Sequence, residues 1–168
     1  MKKSLLLFCL LLCSIVTWAG SLKGKGNVKC LKENESAVLT IDFSKVTWEK
    51  KEDFKQWCGE DYDKRVAISN SEFTRSFNEN SKGLRIVEAG NDAKYKMVID
   101  LVNFERKTAS FGWGRAHINI YGTLKIIDAA TGETVCTYTI DGVSGANDFV
   151  ETDRFARSFA ELGKELSK

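Results

Sequence analysis

Between Ala116 and Val143 the side chains alternate with a period of two. Ile118, Ile120, Leu124 and Ile126 share one parity, while His117, Asn119, Tyr121, Thr123 and Lys125 share the other. This is the pattern of a strand buried on one face. Beyond Asp128 to Gly132, Cys136, Tyr138 and Ile140 alternate with Thr137, Thr139 and Asp141. The stretch therefore reads as two long antiparallel strands. Between them Asp128 bonds the turn amides and Gly132 takes a positive φ. A hairpin cannot bury its own apolar face, so the rest of the chain must cover it.

The same logic finds the covering elements. Ala37 to Phe43 carries apolar residues on both parities and reads as a central strand. Leu84 to Ala89 forms a shorter strand. In Ala93 to Phe104, Tyr95, Met97, Ile99 and Leu101 alternate with Lys94, Lys96 and Asp100. Ser69 and Glu72 have capping-box spacing ahead of Phe73 and Phe77, with Gly83 as the stop, which predicts a helix of about three turns. Val150 to Leu166 places Phe155, Phe159, Leu162 and Leu166 in one apolar stripe. Ser44 to Asn70 is the least regular region, with an extended piece near Val46 and a helical turn at Lys51 to Cys58. The expected class is α+β: a mainly antiparallel sheet of about five strands with two principal helices packed on one face.

The start of the chain has a different character. Lys2 and Lys3 precede the apolar run Leu5 to Val16 and the small-residue exit Thr17-Trp18-Ala19, so residues 1–19 read as a signal peptide. The run falls short of the roughly 20 residues of a spanning helix, and no transmembrane helix is expected after its removal. The reading is soluble export, periplasmic or secreted. Residues 20–36 read as a flexible leader and residues 37–168 as a single α+β domain.

Composition narrows the partners. The net charge of the full 168 residues is +2. Loss of the two leading lysines balances it, so nothing favours nucleic acid. Proline is absent, which excludes proline-rich ligands and cis-proline turns. Of the cysteines beyond the leader, Cys30 and Cys58 are candidates for a disulfide. Cys136 lies on the apolar parity of its strand, as a small core residue.

Candidate chemistry is sparse. His117 is the single histidine, and no nucleophile elbow, zinc motif or phosphate loop appears. No catalytic residue, metal or cofactor is assigned. The carboxylates Glu49, Glu52, Asp53, Glu60, Asp61 and Asp63 are interleaved with lysines and read as a solvated face. Binding candidates are Phe111 and Trp113, set between glycines, and the polar series Arg115, His117, Asn119 and Tyr121.

The segment Ile126-Ile127-Asp128-Ala-Ala-Thr131-Gly132-Glu133, taken with the final amphipathic helix, resembles small exported envelope proteins of unknown function from Bacteroidetes. These are more widely similar to TolB N-terminal and CsgG-like periplasmic domains. In that group an early strand like Ala37 to Phe43 precedes a helix like Ser71 to Asn80. A strand like Ala93 to Ile99 then leads into the hairpin. The resemblance implies an envelope location, admits ring or oligomer assembly, and brings no catalytic residues. The expected function is an exported non-enzymatic domain that binds another protein, a glycan or a further envelope component. The alternative is a hydrolase or carbohydrate-active enzyme using the carboxylates of residues 49–63.

Overall fold

A computed structural model describes residues 20–108 and 115–168 of the chain. Its elements in order are β1 (Ser21–Gly26), a 3-10 turn at Val28–Lys32, β2 (Ser36–Asp42), β3 (Thr47–Trp48), β4 (Glu52–Asp53) and α1 (Phe54–Cys58). A second 3-10 turn, Gly59–Asp61, leads into α2 (Tyr62–Asn80). Then follow β5 (Arg85–Val87), β6 (Tyr95–Thr108), β7 (Ala116–Asp128), β8 (Thr134–Val143) and α3 (Glu151–Leu166).

The sheet has eight strands and is mixed, which corrects the expectation of about five mainly antiparallel ones. Its main order is β1-β8-β7-β6-β2-β5, with β3 pairing both β4 and β6. The pairs β2–β5, β2–β6 and β3–β6 are parallel. Parallel pairing requires a crossover. Here α1 and α2 make the crossover from β2 to β5, while β6 returns on the other side of β2. The rest of the sheet pairs antiparallel and the helices pack on one of its faces, so the α+β class is broadly compatible with the structure.

The central hairpin forms as its alternation predicts. Ile118, Ile120, Leu124 and Ile126 are fully buried, and β6 pairs with β7 along its whole length. The register shifts between Leu101 and Asn103, where Val102 bulges out and is exposed. A bulge reverses which parity faces the core. Tyr95, Met97, Ile99 and Leu101 are buried before it and Phe104 after it, so Asn103, Glu105 and Lys107 emerge on the opposite face. Gly122 stands across from Leu101, and a Cβ there would meet the Asp100 carbonyl oxygen at 2.4 Å.

One apolar core lies between the sheet and the helices. Phe104 meets Phe54 at 4.7 Å between ring centroids and Phe155 at 5.2 Å, both edge-on. Phe155, Phe159, Leu162 and Leu166 are all buried, and burying each phenylalanine contributes about 1.5 to 3 kcal/mol. Helices α2 and α3 cross at Gly163, where a Cβ would come within 2.6 Å of the Phe73 carbonyl oxygen.

Three local expectations differ from the structure. Helix α2 begins at Tyr62, so Ser69 is a buried mid-helix residue and caps nothing. Glu105 to Thr108, beyond the strand expected to end at Phe104, continue β6. In the segment read as a flexible leader, Ser21–Gly26 pairs with β8, and Val28–Lys32 is a 3-10 turn. No helix among the described residues is long and apolar enough to cross a membrane.

Candidate functional site

The helices pack on one face of the sheet, and the other carries mainly polar and charged side chains. On that face the bulge at Val102 builds a connected cluster around Glu105. Lys50 Nζ lies 3.0 Å from Glu105 Oε1, and Lys107 Nζ lies 3.1 Å from Oε2. Tyr121 donates its hydroxyl to Oε2 at 3.1 Å, and Asn103 donates its amide to Oε1 at 3.3 Å. Asn119 in turn donates to the Tyr121 hydroxyl at 3.4 Å. Farther along the same face Lys125 and Asp100 pair at 2.7 Å.

The cluster depends on a strained turn. Between β3 and β4, Glu49 and Lys50 both have positive φ, at 57° and 59°. Lys51 donates its amide to the Trp48 carbonyl at 3.0 Å, closing a type I′ turn without glycine. The turn is tied down by β6. The Lys50 amide donates to Asn103 Oδ1 at 2.9 Å, the Glu49 amide to the Phe104 carbonyl at 2.8 Å, and the Arg106 amide to Glu49 Oε1 at 2.7 Å. Asn103 is itself buried and also accepts from Thr47 Oγ1 at 2.9 Å.

Burial of Glu105 favours its neutral form. Donation from Lys50, Lys107 and Tyr121 outweighs that and holds the carboxyl below its ordinary range. The carboxylate raises the pKa of both lysines in return. At neutral pH the cluster is thus a carboxylate held between two ammonium groups and a phenol. It presents fixed charge and hydrogen-bonding groups on an open face.

The candidate residues divide. Asn119 and Tyr121 join the cluster. Arg115 and His117 turn instead to the loop ahead of α3, with Arg115 over the Phe149 ring at 4.8 Å and His117 Nδ1 2.8 Å from Asn147 Oδ1. Phe111 and Trp113 lie outside the described residues, as does the signal peptide reading for residues 1–19. Cys30 has Cys136 beside it at 3.4 Å between sulfurs, whereas Cys58 ends α1 among other neighbours. Lys50, Asn103 and Glu105 carried no sequence signal as a group. The only hint was the broken alternation at Leu101-Val102-Asn103-Phe104.

Three carboxylates of the acidic stretch, Glu49, Asp53 and Asp61, make local structural contacts. Besides Glu49 on the Arg106 amide, Asp53 caps α1 by accepting from the Gln56 amide at 3.0 Å. Asp61 lies 3.6 Å from Arg65. Among the described residues no three His, Cys, Asp or Glu side chains gather as a metal site would require. A shallow cleft of about 440 Å3 opens between Trp48, Trp57, Arg106 and Glu151 on the helix side. Trp57 is not a free stacking platform there. Trp48 covers one ring face at 3.7 Å, so the Arg65 guanidinium, 4.5 Å from the ring centre, lies over the other.

No family model matches the chain, and no curated protein matches it. Solved structures do. A single-substitution variant of a PelC dodecamer from Paraburkholderia phytofirmans aligns at 15% identity over 88% of this chain and 95% of that one, with a TM-score of 0.49. The PelC dodecamer without that substitution, in another crystal form, gives 15% identity over the same shares and a TM-score of 0.48. A DUF330 protein from Xanthomonas campestris aligns at 13% identity over 89% and 90%, with a TM-score of 0.47. These proteobacterial structures, rather than TolB N-terminal or CsgG-like domains, are what the chain is similar to, which corrects the resemblance drawn from the hairpin and final helix.

Proposed function

We propose that the chain is an exported, non-enzymatic envelope domain that binds another protein or envelope component through the helix-free face of its sheet. The observation that carries this reading is the Glu105 cluster. A pre-organised set of charges and donors on an uncovered sheet face supplies orientation and electrostatic complementarity to a partner surface. Export rests on the lysine pair, apolar run and small-residue exit of residues 1–19.

The test is a paired capture experiment. Asn119→Arg with Thr123→Arg alters the open face without touching the core, and both variant and parent serve as bait against envelope material from the exporting cell. The reading expects an unchanged melting temperature and loss of a partner that the parent retains. Recovery of the same partners by both baits at equal yield would refute it. Solution size of the bait separates capture of a second copy from capture of another molecule.

A further inference from the structure

We propose that Cys30 and Cys136 form an intramolecular disulfide when the protein meets a disulfide oxidant. The two sulfurs lie 3.4 Å apart across a sequence separation of 106 residues. Both residues are enclosed, at 0% and 2% exposure.

The local fold brings them together. Gly26 is the register partner of Cys136, and there, at φ 96°, the chain leaves β1 and enters the 3-10 turn. The Asn27 amide donates to the Val135 carbonyl at 3.0 Å, and the Leu84 amide to the Leu31 carbonyl at 3.1 Å. These two bonds fix the backbone on either side of Cys30 above β8. A sulfur–sulfur bond measures about 2.05 Å, so bonding requires each sulfur to move about 0.7 Å, within reach of small χ1 rotations.

The pair can close by two thiol–disulfide exchanges. With Cys136 as the S–H donor, Cys30 is held below the ordinary thiol value and Cys136 is pushed above it. Either sulfur can be the donor in this contact, and with this choice of donor Cys30 is the first nucleophile. Its thiolate attacks one sulfur of a small-molecule disulfide such as oxidised glutathione, breaking the oxidant's S–S bond and releasing one thiol. Cys136 then loses its proton and attacks the Cys30 sulfur of the mixed disulfide, releasing the second thiol. Two protein thiols are oxidised, the oxidant is reduced to two thiols, and the two protein protons end on them.

Entry of the oxidant requires opening of β1 and the turn after it. That segment is a short edge strand with exposed Lys23, Gly24 and Lys25, the kind of element that opens before the core does. Cys58 contrasts with the pair. It is buried, no described residue places a sulfur in contact with it, and its thiol is pushed up to about 11 by burial.

The test uses the full chain. Protein equilibrated with oxidised glutathione is alkylated, digested with trypsin without reduction and mapped by mass spectrometry. The expected species joins the peptide Cys30–Lys32 to Ile126–Arg154, and it persists in Cys58→Ser. Its closed loop raises Tm by on the order of 10 °C over the reduced protein, a reductant-dependent shift that Cys136→Ser abolishes. Oxidised protein in which Cys30 and Cys136 both remain alkylatable would overturn the proposal. So would a linkage of either cysteine to Cys58.

Discussion

Replacing Glu105 with glutamine tests whether the cluster on the open face is held by charge. The side chain is 13% exposed and accepts from four groups. Its two lysines are 71% and 54% exposed, so water and salt screen their attraction and little stability comes from them. The larger part is the hydrogen bonding of an enclosed carboxylate to Tyr121 and Asn103. Glutamine keeps the shape and one acceptor, but it aims an amide at ammonium groups that cannot accept. The expected loss is about 2 kcal/mol at pH 7, or roughly 4–8 °C in Tm. Its pH dependence is the sharper part. The folded pKa of Glu105 lies below its ordinary value of 4.5, so the stabilisation is fully present above 4.5 and is lost as pH falls through the folded value. Urea denaturation of both proteins from pH 7 to about pH 2.5 should show the gap closing as Glu105 becomes protonated in the folded state. A gap constant across that range would assign the loss to packing and refute the electrostatic account.

Lys50→Ala and Lys50→Gly remove the same ammonium group but differ at positive φ. Thermal unfolding should place the glycine variant a few degrees above the alanine variant, and equal values would mean that the turn relaxes without cost. Gly163→Ala gains about 1 kcal/mol of helix propensity, yet its Cβ would meet the Phe73 carbonyl at 2.6 Å. Separation of α2 from α3 should make the net change a loss of about 1 to 3 kcal/mol by chemical denaturation. Ser158 is buried, donates to the Ile118 carbonyl at 2.7 Å and accepts from the Gly145 amide at 3.2 Å. Ser158→Ala leaves both groups without that partner and should cost about 1 to 3 kcal/mol in the same measurement.

What the sequence could show follows from how each element is stabilised. The hairpin and α3 carry their burial in a regular period, so Ile118 to Ile126 and Phe155 to Leu166 were legible in advance. β3 and β4 have two residues each and β5 has three, too short for any period to register. Their existence depends on partners distant in sequence, as Trp48 depends on Phe104. The start of α2 was hidden for a related reason. Tyr62 to Ile68 presents few apolar residues to the core, and Arg65 fills that position by lying over Trp57 and near Phe155. Within the candidate face, Asn119 and Tyr121 were visible as the polar parity of a strand. Glu105 was not, because a one-residue bulge decides its side of the sheet.

That bulge and the strained turn depend on each other, which makes the candidate face one unit. Without the extra residue at Val102, Asn103 would point into the phenylalanine core and leave the Lys50 amide and the Thr47 hydroxyl without their acceptor. Without the turn, the buried Asn103 Oδ1 would lose the Lys50 amide as a donor, a cost that offsets part of the strain of two left-handed residues. Glycine at either turn position would remove the strain. It would also remove the Glu49 carboxylate from the Arg106 amide or the Lys50 ammonium from Glu105. The two non-glycine residues are therefore explained by what their side chains hold in place: one fixes β6 beside the turn, and the other closes the charge cluster that β6 presents.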